Sequence, residues 1–208
     1  MGWGANDYGQ CNTPSGNDFV AIAAGEHHGL AITTDGAIVG WGRNQLGQTN
    51  VPQGDDFTAV AAAYGQSLAL KSDGTLVAWG MTTDGLATPP MGTYIAIGCG
   101  EYHNIALSAD GTLVAWGGNQ YGQLDVPLGN DYVAVSAGKF HNLALKSDGS
   151  LVAWGRDADG VLDVPLPNDY IAFDAGQYHN LAIVPEPTSL CLLILGCLAA
   201  SRRPVSTM

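Results

Sequence analysis

Along most of the chain, short apolar runs alternate with glycine-rich turns, and no segment carries the 3.6-residue period of an amphipathic helix. The stretch from Trp116 to Ala153 is representative. It holds an apolar run YVAVSAG, an alternating HNLALK, and SLVA leading into the next Trp-Gly. Each of these reads as a strand. Between the last two sits Ser147-Asp148-Gly149, a hairpin turn in which Asp-Gly tolerates the positive φ angles required. The same turn recurs at Asp35-Gly36, Asp73-Gly74 and Asp110-Gly111. A short fourth strand is expected over GQLDV, ended by Pro127, which cannot donate to a central ladder.

These elements repeat. The five tryptophans of the chain, Trp3, Trp41, Trp79, Trp116 and Trp154, are each followed by glycine and stand 38, 38, 37 and 38 residues apart. A fixed period of this size marks a repeat architecture. Three or four short strands per copy, repeated radially, predict an all-β fold, a β-propeller of five copies that is either open or five-bladed. The tryptophans sit in a core-like V-x-W-G strand and read as packing between sheets rather than as a rim on which a sugar ring stacks.

Composition narrows the picture. A hydrophobic content of 46% with 12% charged residues fits a packed body. The net charge is −12, and the first 184 residues carry five basic against eighteen acidic groups. So acidic a body repels phosphate backbones, which argues against nucleic acid as a partner. The four cysteines show neither metal-type nor disulfide-framework spacing.

Candidate chemistry is sparse. His28, His103, His141 and His179 fall at one place per repeat, with Gln66 in the second copy. A ring of imidazoles suggests a metal, but zinc needs every ligand about 2.0–2.1 Å from one centre, and equivalent points on successive sheets stand too far apart. A histidine that bonds a neighbouring loop carbonyl explains the recurrence and tolerates glutamine. His27 has no place in the repeat and reads as an exposed side chain. Asp157-x-Asp159-Gly160 with Asp163 resembles a calcium loop, yet the twelfth position is Asn168 where such a loop needs a bidentate glutamate. No nucleophile elbow, H-E-x-x-H or P-loop is present. No catalytic residue, cofactor or metal is expected.

The recurring V-A-W-G, N-x-x-G-Q (Asn6 to Gln10, Asn44 to Gln48, Asn119 to Gln123), A-G-x-x-H and L-K-S-D-G segments together resemble regulator of chromosome condensation repeats, in their short bacterial form. The resemblance covers residues 1–183 and implies a propeller, seven-bladed in known members. It departs in the third copy, where Met81-Thr82-Thr83-Asp84-Gly85-Leu86 replaces N-x-x-G-Q. Known members bind chromatin and a small GTPase, or block an enzyme with one propeller face. What the resemblance implies here is a rigid scaffold whose loops bind another macromolecule.

Residues 184–208 are a different object. Pro185 and Pro187 stop the sheet, Leu190 to Ala200 are apolar or glycine, and Arg202-Arg203 follow. Eleven residues make about 17 Å of helix against a bilayer core of roughly 30 Å, a marginal span. Pro185-Glu186-Pro187, the apolar stretch and the arginine pair resemble the C-terminal PEP-CTERM sorting signal of Gram-negative bacteria. That resemblance implies export, a transient inner-membrane anchor formed by a short helix, and processing near Glu186 by an exosortase. The arginines fit the positive-inside rule and leave the propeller outside the cytoplasm, at the cell surface or beyond it. Met1 stands where other copies have Val39, Val77, Val114 and Val152, so it reads as an internal start in a longer frame with a signal peptide and further repeats upstream. The sequence thus points to an exported, non-catalytic interaction scaffold that binds a protein or an envelope polysaccharide. The alternatives are an extracellular glycan-active propeller enzyme, and an inhibitor of a secreted enzyme, which would need an aromatic-rich, non-repeating loop face.

Overall fold

A computed structural model describes residues 1–16, 18–166 and 169–185. The expected C-terminal helix and the motif residues Glu186, Pro187, Arg202 and Arg203 lie outside the described residues, and Pro185 is exposed. Among the described residues, fourteen strands form five antiparallel sheets in chain order. The first holds β1 (Phe19–Ala24), β2 (His28–Thr33) and β3 (Ile38–Gly42). The second holds β4 (Phe57–Ala62), β5 (Gln66–Lys71) and β6 (Leu76–Gly80). The third holds β7 (Tyr94–Cys99), β8 (His103–Ser108) and β9 (Leu113–Gly117). The fourth holds β10 (Tyr132–Ala137), β11 (His141–Lys146) and β12 (Leu151–Gly155). The last pairs β13 (Ala172–Ala175) with β14 (Asn180–Ile183).

The expected fourth strand over GQLDV does not form. Its backbone is claimed by side chains instead: the Tyr121 amide donates to Gln123 Oε1 (2.7 Å) and the Leu124 amide to Asn119 Oδ1 (2.8 Å). These bonds tie the segment into a loop and leave no ladder for it to join.

Each middle strand alternates, so its two faces bury against different neighbours. Ile105 and Leu107 of β8 pack with Leu113 against Tyr132, Ala144 and Trp154 of the following sheet. Leu30, Ile32 and Ile38 meet Phe57 and Ala69 in the same way, and Leu68 and Leu70 meet Tyr94, Ala106 and Trp116. The large aliphatic side chains thus face forward, and each sheet answers with an aromatic, an alanine and a tryptophan. The aromatic is aimed by an irregularity in the inner strand: the pairing register shifts between Phe57 and Ala59, and at the matching point of β1, β7 and β10. Trp79, Trp116 and Trp154 also donate their indole N–H to the carbonyls of Gln48 (2.9 Å), Leu86 (3.2 Å) and Gln123 (3.1 Å).

The end sheets lack a neighbour on one side among the described residues. Ile22 is 79% exposed and Leu181 67%, whereas Val60 and Leu143 at equivalent points are covered. The sheets therefore form an arc whose end faces do not cover each other. Trp3, expected beside the other tryptophans, is 85% exposed and belongs to no sheet.

Three of the recurring histidines, His28, His103 and His141, bond across to the next sheet, and their partners are not the expected carbonyls. His28 Nε2 donates to Ser67 Oγ (3.0 Å), His103 Nε2 to Asn142 Oδ1 (2.9 Å) and His141 Nε2 to Asn180 Oδ1 (2.7 Å), each on the next sheet. The partner passes the bond on: Ser67 Oγ donates to Gln48 O (2.8 Å) and Asn142 Nδ2 to Gln123 O (3.0 Å). Because each partner accepts from the ring, the rings carry their proton on Nε2. In the second sheet Gln66 Nε2 donates to the Gly100 carbonyl (2.6 Å), the bond foreseen for the histidines. His179 is exposed.

Burial holds His28 and His103 neutral and pushes both down to about 4 from the ordinary 6.5. Their buried Nδ1 atoms have no partner among the described residues, so a second proton would add an unsatisfied donor. His141 is lowered for the same first cause.

Two outcomes follow from this packing. Trp116→Ala removes a buried indole and should cost about 3–5 kcal/mol in urea unfolding, while Trp3→Ala should leave the midpoint unchanged. The second concerns acid. With folded-state values below the unfolded ones, stability is complete above about pH 6.5 and is lost as pH falls toward 4. Each buried ring should contribute a loss on the order of 3 kcal/mol. His103→Gln, which copies the second sheet, should fold at pH 7 and lose less stability than wild type between pH 7 and pH 4.5; equal losses would refute the assignment.

Candidate interaction face

At the end of the sheets opposite the Asp-Gly hairpins, two loops per repeat project side chains. The first joins inner to middle strand and is closed by a glycine amide bonded to the carbonyl of the histidine: Gly25 N to His28 O (2.9 Å), Gly100 N to His103 O (2.8 Å), Gly138 N to His141 O (2.9 Å). No other residue fits at Gly100: a Cβ there would stand 2.7 Å from the Gly138 carbonyl oxygen and closer still to the His103 ring. The residue after that glycine is therefore held toward the axis. Glu26, Tyr64, Glu101, Lys139 and Gln177 occupy this place and ring a cavity of about 350 Å³ walled by alanines, glycines and Cys99. Burial pushes the Cys99 thiol up, away from the reactive thiolate.

The second loop is N-x-x-G-Q. In the fourth copy, besides the bonds already given, Asn119 Nδ2 donates to Asp125 Oδ1 (3.2 Å) and Gly122 takes a φ of 78°. The same bonds hold Asn44, where Leu46 N donates to Gln48 Oε1 (2.9 Å) and Thr49 N to Asn44 Oδ1 (3.0 Å). Gln48 and Gln123 point inward and the asparagine closes the loop at the surface, while the middle residue points out: Tyr8, Leu46 and Tyr121 are all exposed. In the third copy a 3-10 turn over Thr83–Gly85 stands in this place, and Leu86 is buried where the second and fourth copies bury Gln48 and Gln123.

Both loops converge on a band of aromatic rings. Tyr64 lies 6.1 Å from Tyr102, Tyr102 stacks at 5.9 Å on Phe140, and Tyr121 meets Phe140 edge-on at 5.1 Å. Lys139 stands 5.4 Å from the Phe140 ring and 5.3 Å from Tyr178, and pairs with Glu101 at 2.8 Å. That carboxylate holds the Lys139 ammonium well above its usual range. Burial, followed by the bond to Glu101, raises the Tyr102 hydroxyl. Arg156 sits 5.0 Å over Tyr121 and 5.6 Å over Phe140, and Arg43 sits 5.0 Å over Tyr8.

None of these aromatic and charged residues stands out in the sequence taken linearly. The signal is present only in columns: at the two positions ahead of the histidine, side chains change from copy to copy while their surroundings repeat. His27, expected to be exposed, is one of them and is half-buried, 4.8 Å from Tyr8 and 3.7 Å from Glu26. The recurring tryptophans and histidines support this face without reaching it. Around Asp157, Asp159 and Asp163 the chain makes a turn, with Asp163 N donating to Gly160 O (3.1 Å). Among the described residues no group of three or more histidine, cysteine or acidic side chains is placed to hold a metal ion.

Comparisons fit this architecture. Three solved structures are similar: human WBSCR16 (TM-score 0.72, 20% identity, 88% of this chain and 66% of that one), Prp20p from Saccharomyces cerevisiae (0.71, 18%, 90% and 61%), and the ectodomain of the Physcomitrella patens receptor kinase CR4 (0.71, 24%, 89% and 53%). The chain thus spans between about half and two thirds of the length of these proteins. The Prp20p structure was described with its binding to Gsp1p and histones, and yeast RCC1 (Prp20) also with bound Kap60. No curated protein matches in sequence. Residues 19–48, 94–123 and 132–161 match the regulator of chromosome condensation (RCC1) repeat. Three segments of the chain thus match the RCC1 repeat, and the repeated sheets share the propeller fold of these structures.

Proposed function

We propose that this chain is a non-catalytic protein-interaction scaffold that engages its partner through the aromatic face. The observation that carries the reading is the band from Tyr64 through Tyr102 and Phe140 to Tyr178. It lies on one end of the arc at positions whose chemistry varies while the scaffold around them repeats. Aromatic and arginine side chains dominate the energetics of protein interfaces. Similar folds that bind proteins support the class of function, though not the partner. An inhibitor of a secreted enzyme would use the same face, and its aromatic content favours that variant over a glycan-active enzyme. The face departs from the expected non-repeating loops only in being built at repeat-related positions.

Export belongs to the same proposal. The sorting-signal resemblance at Pro185-Glu186-Pro187 and Arg202-Arg203 supports a transient inner-membrane anchor, cleavage by an exosortase and a final place at the cell surface or outside it. Two measurements test the two halves. Affinity capture from the producing cell's envelope should recover a protease-sensitive partner with wild-type protein, and at least tenfold less with Tyr102→Ala/Phe140→Ala. Equal recovery removes the aromatic face from the reading. Mass spectrometry of the mature secreted protein should find Arg202 and Arg203 missing, whereas an intact C-terminus would rule out processing.

A further inference from the structure

Resting on that reading of the face, we infer that Arg156 is the charged anchor of the site and that the partner presents an aspartate or glutamate to it. The argument begins with a census of cations among the described residues. Lys71, Lys139 and Lys146 each meet a carboxylate, Asp56 at 3.2 Å, Glu101 at 2.8 Å and Asp131 at 3.2 Å. Arg43 donates from Nε to Gln45 Oε1 at 2.9 Å. The Arg156 side chain has no carboxylate within 4.0 Å and no hydrogen-bond acceptor among the described residues; only its backbone amide is bonded, to Phe140 O at 2.9 Å. Of these five basic side chains, Arg43 and Arg156 lack a carboxylate, and among the described residues Arg156 alone also lacks a side-chain hydrogen-bond acceptor.

Its position is fixed all the same. The guanidinium sits in the angle between Tyr121 and Phe140, whose planes meet at 60°. Both rings lie within cation–π reach of the group and restrain it, while its N–H groups remain free to donate to a partner. A planar guanidinium held in this way is pre-organised for two parallel bonds to a carboxylate, and little side-chain freedom remains to be lost on binding. Tyr121 is in turn held outward by the bonds of Asn119 and Gln123, and Phe140 by the turn that Gly138 closes. The anchor therefore rests on rigid parts of the repeat.

Charge placement is compatible with this. Asp35, Asp73, Asp110, Asp148, Asp56 and Asp131 stand at the hairpin end; Arg43, Lys139 and Arg156 lie at the aromatic end together with Glu26, Glu101, Asp125 and Asp157, of which Glu101 is taken up by Lys139. At physiological salt the field of the distant carboxylates is screened within about 8 Å, so an acidic side chain that reaches Arg156 meets mainly local charge. A protein segment fits this site better than a sugar. Tyr8, Tyr121 and Tyr178 each carry a cation against the ring, and Phe140 carries two as well as stacking on Tyr102. Few open ring faces remain for a pyranose, but hydroxyl groups, ring edges and the guanidinium edge remain for a peptide.

The test selects a random peptide library displayed on phage against the full chain, then measures the affinity of one enriched synthetic peptide for variants whose fold is checked by circular dichroism. The expected result is enrichment of aspartate or glutamate, with binding weakened at least tenfold by Arg156→Gln and unchanged by Lys71→Gln at the other end. Enriched peptides without a carboxylate, acidic peptides that bind Arg156→Gln equally well, or no enrichment at all overturns the inference. If Phe140→Ala abolishes binding while Arg156→Gln does not, the anchor is wrong and the interaction face stands. If neither variant matters, both readings fall. Binding of polygalacturonate in place of peptide, lost in Arg156→Gln, would make the partner a glycan and likewise overturn the protein assignment.

Discussion

Among the described residues, no sheet encloses a core of its own. Three short strands present two apolar faces, and each face is buried only by a neighbouring sheet: Leu68 and Leu70 by Tyr94, Ala106 and Trp116, Ile105 and Leu107 by Tyr132, Ala144 and Trp154. That dependence dictates the rest. The sequence must repeat because every sheet has to offer the same socket and the same plug. The strand alternation must hold its phase, since a slip of one residue would send the leucines of β5 or β11 to the wrong neighbour. Stability is then close to a sum of nearest-neighbour terms, as in other repeat proteins.

Polar groups are fitted into these interfaces without breaking them. A histidine at the start of β2, β8 and β11 is buried next to a turn glycine that leaves no room for a Cβ, and it hands one hydrogen bond to the following sheet. The bond is directional where leucine packing is not, so it fixes how far one sheet is rotated against its neighbour. It also freezes the turn, which sets the direction of the residue that follows the glycine. The packing constraint and the interaction face are thus joined through one short segment, Gly138-Lys139-Phe140-His141 in the fourth copy.

Much of this was legible in the sequence because it is periodic. The Trp-Gly pairs, the Asp-Gly hairpins and the alternating middle strands place all five sheets, and the histidine column is recognisable as structural because glutamine replaces it once. Errors fell where one residue type serves two ends. GQLDV has strand-like composition, but Gln123 turns back on the Tyr121 amide and Asn119 on Leu124, so side chains consume the donors a strand would need. Trp3 shares the motif of the other tryptophans, yet no described strand provides the socket that Leu86 and its neighbours provide for Trp116. The aromatic face was invisible for the opposite reason. Tyr64, Tyr102, Phe140 and Tyr178 are far apart in the chain and differ from their counterparts, so a search for what repeats passes over them.

That division of labour has a consequence for how such a scaffold can vary. Substitution at a column that repeats, such as Gly100 or Leu143, is felt by two sheets at once, because each interface is shared. Substitution at Tyr64, Lys139 or Gln177 touches the axial cavity and the solvent, and the turn beneath is already closed by backbone bonds. The mouth of the arc can therefore change its chemistry one repeat at a time at little cost to the fold. Five neighbouring positions here carry two carboxylates, a phenol, an ammonium and an amide. Specificity on such a surface resides in the order of those groups around the axis, which the rigid turns preserve, and not in any single repeat.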